Sequence, residues 1–346
     1  MTGVSVLIPT RNRAKKLRDA VNSVLAQSQR PLEILISDND SFDETPALMA
    51  IIESEKWAQV EIRTFRQNEN IGLTDNHAFL LDQAKYPYCC FLHDDDLFTE
   101  PSFLSNGLNL MVNNSNIYVC VGNALVTGYN IPGLNAPLNV IKGSDYLMLK
   151  IPNIENDSNG WQLWEGNNFA FAIGGKAGAP SYSAIIFDRE IAKLKGVFRP
   201  PLAIDLKLSK EYGILSDEAL AYLYILIFGY RVAYWSKPVT TRVCHSEQLS
   251  LDPFTLKTVG ASDFLVYTNL FINLIKEARV SPIIITAWYI RTLWAHLPIP
   301  IKDGKQVIWT LFRIRPIITV TWLIFQIIRR SPEALYRGVM WCFKKL

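Results

Sequence analysis

Short apolar runs alternate with stretches of helical spacing through the first hundred residues. Residues 4–8 (Val-Ser-Val-Leu-Ile) predict a strand stopped at Pro9, and Leu17, Ala20, Val21, Val24 and Leu25 then recur at the helical period between Ala14 and Gln27. The unit repeats: Glu33 to Ser37 reads as a second strand, and Asp43-Glu44-Thr45-Pro46 as a helix start continued by Leu48, Met49, Ile51 and Ile52. Val60 to Phe65 predicts a third strand, Thr74 to Ala84 a helix, and Tyr88 to Leu92 a fourth strand so apolar that it belongs near the sheet centre. Such alternation implies a doubly wound, mostly parallel α/β sheet, which binds ligands at the carboxyl ends of its strands.

The pattern loosens further on. Asn130 to Ala179, rich in Asn, Gly and Pro, reads as long functional loops around a short helix near Asp145 to Leu149. Ser183 to Phe187 predicts a strand, Asp217 to Phe228 a helix, and Arg231 to Trp235 another strand. The expected organisation is a domain over residues 1–255, whose first part to about residue 125 is an α/β half with its ligand site at the carboxyl ends of the strands, followed by a helical region over 256–346.

Composition sharpens this division. The chain of 346 residues is 49% hydrophobic and 19% charged, which excludes collagen-like and wholly disordered classes. Five cysteines without metal spacing argue for a reducing compartment. The net charge of +3 is unevenly spread: Arg279 to Leu346 carries 11 Lys and Arg against 2 acids, or +9, so the preceding residues carry −6. That tail also holds five of the nine Trp, a pairing that suits a membrane interface, yet its uncharged stretch Pro316 to Ile328 has only 13 residues. The residues after Met1 lack the order of a signal peptide, so the expected location is the cytoplasmic face of the plasma (inner) membrane, held peripherally or monotopically.

Two acid-rich turns carry candidate chemistry. Asp94-Asp95-Asp96 follows the fourth strand, where like charges raise one another's cost of ionisation and call for a cation; Mg2+ or Mn2+ shared with substrate phosphates is the natural occupant. A solvated helix-capping turn is the plainer alternative. Asp38-Asn39-Asp40-Ser41 follows the second strand; an Asx turn accounts for Asp40 and Ser41 but leaves Asp38 without a task. Neither a dinucleotide fingerprint nor a P-loop is present in the sequence.

Four segments in order, residues 4–13 (Val-Ser-Val-Leu-Ile-Pro-Thr-Arg-Asn-Arg), 36–41 (Ile-Ser-Asp-Asn-Asp-Ser), 70–72 (Asn-Ile-Gly) and 91–96 (Phe-Leu-His-Asp-Asp-Asp), resemble a family 2 inverting glycosyltransferase of the GT-A fold. The specific part covers residues 4–98, with weaker similarity to about residue 250. The resemblance implies that residues 1–125 form a nucleotide-binding half and 126–255 an acceptor-binding half, that Pro9, Thr10 and Arg11 line the nucleotide pocket, that Asp38 and Asn39 meet the base and ribose, and that the run Asp94 to Asp96 holds the metal, Asp95 and Asp96 as its ligands and Asp94 on the side of the nucleotide. His93 stands where many relatives have the first acid of an Asp-x-Asp pattern, and Asp75 where many have a basic residue.

Ser216-Asp217-Glu218 is similar to the family's acidic pair and implies a catalytic base at Glu218 or Asp217, while Arg242-Val243-Cys244-His245 looks like the closing motif whose histidine completes the metal site. His77 and His296 read as ordinary core or surface histidines. The resemblance thus implies a nucleotide diphosphate sugar donor (UDP-sugar favoured, dTDP- or GDP-sugar next), Mn2+ or Mg2+, a glycan or polyprenyl-linked acceptor of bacterial surface polysaccharide, and no nucleic acid partner. Two alternatives stand beside it. A nucleotidyltransferase would want a glycine-rich loop that Pro9-Thr10-Arg11-Asn12 does not supply, and a non-catalytic nucleotide-sugar binding protein would need no base.

Overall fold

A computed structural model describes residues 2–128, 155–156, 160–166, 169, 182–194 and 230–244. Its first half follows the alternation in the sequence: β1 (Val4–Thr10), α1 (Ala14–Leu25), β2 (Leu32–Asp38), α2 (Thr45–Ser54), β3 (Val60–Arg66), α3 (Leu73–Gln83) and β4 (Tyr88–Phe91). Then come β5 (Asp96–Phe98), α4 (Phe103–Asn113), β6 (Ile117–Gly128), β7 (Glu155–Asn156), β8 (Trp161–Glu165), a 3-10 turn (Tyr182–Ala184), β9 (Ile185–Asp188), α5 (Arg189–Leu194) and β10 (Arg231–Cys244).

One sheet joins these strands in the order β3-β2-β1-β4-β9-β6-β10-β8-β7, with β5 paired to β10. It is parallel from β3 through β4 and mixed beyond, because β9 runs antiparallel to both β4 and β6. β1 and β2 are buried along their whole length, consistent with helices on both faces, and α1 turns Leu17, Ala20, Val21, Val24 and Leu25 inward. β3, at the edge, is only half-buried. β4 lies between β1 and β9, so the fourth apolar run is central as its composition predicts.

Three sequence expectations change. β1 continues through Pro9 to Thr10; β4 pairs β1 only as far as Leu7, so the proline borders β2 alone and its missing N–H leaves no gap in a second ladder. The strand expected over Arg231 to Trp235 runs on to Cys244, with register shifts against β6 on both sides of Pro238. The stretch expected to be loop contains β7 and β8, whose Trp161 is fully buried with ring centroids 6.3 Å from Phe103 and 5.2 Å from Trp235.

Gly122 on β6 shows how close the layers approach: a Cβ there would stand 2.2 Å from the Val239 side chain and 3.1 Å from the Phe103 ring. The helix near Asp145 to Leu149, the helix over Asp217 to Phe228 and the region 256–346 lie outside the described residues. Among the described residues, no helix is long and apolar enough to cross a membrane.

Candidate active site

The carboxyl ends of β1, β2 and β4 open on one edge of the sheet, and the turns that leave them carry most of the candidate residues. After β4 the chain closes a turn in which the Asp96 amide donates to the His93 carbonyl at 3.1 Å. Ser183, from the 3-10 turn before β9, clamps it: its Oγ accepts the His93 amide at 3.0 Å and donates to Asp96 Oδ2 at 2.5 Å. The result gathers His93, Asp95 and Asp96, with one potential ligand atom from each within 4.8 Å of the others. Two carboxylates and an imidazole form a donor set that suits a divalent ion such as Mn2+ or Mg2+. The structure brings Asp95 and Asp96, both named from the sequence as ligand candidates, together with His93. His93 is the ligand candidate that sequence reasoning set aside.

Asp94 turns away from this group. It is buried, and its Oδ2 accepts the Thr10 hydroxyl at 2.7 Å. Burial, and then the negative charge of Asp95, push its carboxyl up to about 7 against the opposing pull of Arg13 and Thr10. Arg13 supplies the positive charge: its Nη1 lies 2.6 Å from Asp95 Oδ2 and its Nε 4.0 Å from Asp94 Oδ1. Behind His93, the buried His77 ring lies 5.9 Å away edge-on, and its Nδ1 is 2.7 Å from the Leu73 carbonyl oxygen. Burial and then His93 hold His77 down at about 3, so it is a neutral core residue, as the plain reading of the sequence had it.

The β1 and β2 turns brace each other. Asn39 donates its amide N–H to the Thr10 carbonyl at 2.9 Å, and Asn12, at φ 55°, offers its amide N–H to Ser41 Oγ at 2.8 Å while its Oδ1 accepts from the Phe42 amide at 2.8 Å. Asp38 is fully buried. Its Oδ1 accepts the Ser41 amide at 3.0 Å and the Ser41 hydroxyl, and its Oδ2 faces Arg66 Nε at 3.7 Å. Asn39 uses its side-chain amide on the 70–72 turn: Nδ2 donates to Asn70 Oδ1 and to the Gly72 carbonyl, and Oδ1 accepts the Ile71 amide at 2.9 Å. Gly72, at φ 90°, takes a left-handed conformation that favours glycine and leads into α3.

Of the nucleotide-binding candidates, Thr10, Asp38, Asn39 and Asp94 are therefore buried with internal partners, Pro9 is buried within β1, and Arg11 is exposed with its guanidinium 6.0 Å from the Phe42 ring centre. Glu218, Asp217 and His245 lie outside the described residues. The strand before His245 nevertheless runs to the site, since Arg242 of β10 pairs with Asp96 and β10 ends at Cys244.

The mixed sheet, with an acid-rich turn after its fourth strand, is that of a GT-A fold. It is similar to S. aureus TarS (residues 1–349) solved with UDP-GlcNAc, with a TM-score of 0.62, 14% sequence identity, and coverage of 90% of this chain and 80% of that one. The same protein solved alone gives a TM-score of 0.59. Residues 5–147 match the family described as Glycosyl transferase family 2.

Among curated relatives, a Campylobacter jejuni protein named GalNAc(5)-diNAcBac-PP-undecaprenol beta-1,3-glucosyltransferase is 32% identical over 117 residues, 34% of this chain and 35% of that protein. A Rickettsia felis protein described as an uncharacterized glycosyltransferase is 38% identical over 98 residues, 28% of this chain and 15% of that protein. The matched part thus spans about a third or less of the length of these relatives.

Proposed function

We propose that the protein is a metal-dependent, inverting glycosyltransferase that moves a sugar from a nucleotide diphosphate sugar, a UDP-sugar first among them, to a hydroxyl of a glycan or polyprenyl-linked acceptor. The observation that carries this reading is the convergence of His93, Asp95 and Asp96 at the carboxyl edge of the sheet, beside the braced β1 and β2 turns. A structural neighbour with UDP-GlcNAc bound and a relative named for an undecaprenol-linked substrate support the donor and acceptor classes.

His93, Asp95 and Asp96 would hold Mn2+ or Mg2+, and His245, the next residue in sequence after β10, is proposed as a further ligand. When bound, the cation supplies positive charge against the departing nucleotide diphosphate. Glu218, with Asp217 its alternate, takes the proton from the acceptor hydroxyl as that oxygen attacks the anomeric carbon. The basic, Trp-rich region 256–346 holds the enzyme against the cytoplasmic face of an anionic membrane during synthesis of a surface polysaccharide.

The test is Asp95→Asn assayed for turnover of UDP-sugars with Mn2+. Loss of turnover in a folded variant, reproduced in the unaltered protein by EDTA, is the expected result. Full activity of the variant, or of protein stripped of divalent ions, would overturn the assignment.

A further inference from the structure

Arg13 sits where two functions meet. Its backbone is fixed: the amide donates to Thr45 Oγ1 at 3.1 Å, and the carbonyl accepts the Lys16 and Leu17 amides at the start of α1. Its side chain reaches from this anchor to the turn after β4, where it forms the 2.6 Å contact with Asp95 Oδ2 and stands 4.0 Å from Asp94. The side chains of Arg13 and Asp95 are only 17% and 12% exposed, so water screens the pair far less than it would a surface salt bridge. Asp95 is also one of the three groups that converge with ligand geometry.

Two positive charges cannot both be held closely by one carboxylate without repelling each other, and the repulsion grows in a shielded site. A guanidinium is in addition well matched to diphosphate oxygens, to which it can donate two parallel hydrogen bonds. We propose that Arg13 is a displaceable internal cation, competing with a divalent ion for Asp95 and, once displaced, donating to the diphosphate of the nucleotide. The proposal rests on reading His93, Asp95 and Asp96 as the metal site. It makes Arg13 oppose binding of the ion alone and favour binding of the nucleotide, two effects of opposite sign at one residue. A residue that only braces the turn would weaken both.

The experiment uses the full chain, with the free Mn2+ electron paramagnetic resonance signal for binding of the metal alone, and calorimetry of UDP at saturating Mn2+ for the nucleotide. Arg13→Met should tighten Mn2+ binding roughly tenfold by removing a shielded like charge and weaken UDP binding roughly tenfold by removing a charge-assisted donor pair. Arg13→Lys keeps the charge without the fork. It should leave Mn2+ affinity close to that of the unaltered protein and still weaken UDP, and it serves alone if the methionine variant does not fold.

Weaker or unchanged Mn2+ binding in Arg13→Met, or UDP binding unaffected by both variants, overturns the proposal while Mn2+ binding by the unaltered protein sustains the metal site. Failure of the unaltered protein to bind Mn2+ overturns both.

Discussion

Thr10 and Asp94 are 84 positions apart in the chain and share a 2.7 Å hydrogen bond that ties the end of β1 to the turn after β4. The bond fixes Asp94 inward, while Asp95 and Asp96 converge with His93.

Thr10→Val keeps the shape of the side chain but leaves a buried carboxyl without its hydroxyl donor. It should cost about 1–3 kcal/mol, the range for leaving a buried polar group unsatisfied. Urea unfolding measures the loss, and Thr10→Ser should restore most of it. Equal stability of the valine variant would show that the bond is replaced by water.

Asp43 links the starts of two helices, accepting the Thr45 amide at 3.0 Å on Oδ1 and the Ala14 amide at 3.3 Å on Oδ2. Burial pushes its carboxyl up, but the hydrogen bonds from Thr45 and Ala14 outweigh it and hold the group below its ordinary value of 3.8. A lowered folded value means the contribution is present above the unfolded value and disappears as pH falls through the folded one. Asp43→Ala should therefore cost about 1 kcal/mol near neutral pH, like the loss of a helix cap. The gap from the unaltered protein should narrow as pH falls from 3.8 through the lower folded value. Denaturant unfolding over a pH series is the check, and a gap that persists in acid would contradict it.

The base assignment predicts that Glu218→Gln lowers turnover by about 10²–10⁴-fold with little change in nucleotide affinity, because proton removal belongs to the transition state. Steady-state kinetics with calorimetric UDP binding separates the two quantities. A dead Asp217→Asn beside a nearly normal Glu218→Gln would move the role to Asp217, and indifference to both would point to another carboxylate, Asp205 first.

The region after about residue 280 is proposed as a monotopic anchor. Each basic residue near an anionic leaflet contributes about 1 kcal/mol, so the +9 charge of Arg279 to Leu346 is ample. The full chain should float with anionic liposomes and release as salt rises, whereas truncation near residue 280 should abolish flotation. Equal flotation with and without the region would refute the anchor.

The parallel part of the fold was legible because each strand there is a short apolar run and each helix shows one apolar face, as β1, α1 and β4 illustrate. β10 was legible only as far as Trp235, since Lys237 and Pro238 break the pattern and only the register shift against β6 accommodates them. The carboxylate cluster was visible as a string of letters. What each member does was not: Asp94 turns inward to Thr10, and His93 joins the ligand set, through a turn held by Ser183, 90 positions away. Nothing local in residues 91–96 marks that partner. Asn39 shows the same limit, because its amide is committed to the 70–72 turn, some thirty residues on.

Trp161 and Trp235 face each other as partners in the β8–β10 ladder, with ring centroids 5.2 Å apart and planes inclined at 37°. Indoles this close couple their electronic transitions, so the pair should contribute a signed circular dichroism couplet in place of two independent bands. A slip of one residue in the ladder would move the rings apart and should weaken that couplet. Because β10 also pairs with Asp96 further along, such a signal would serve as an optical gauge, free of any label, on the strand that leads to the acidic turn.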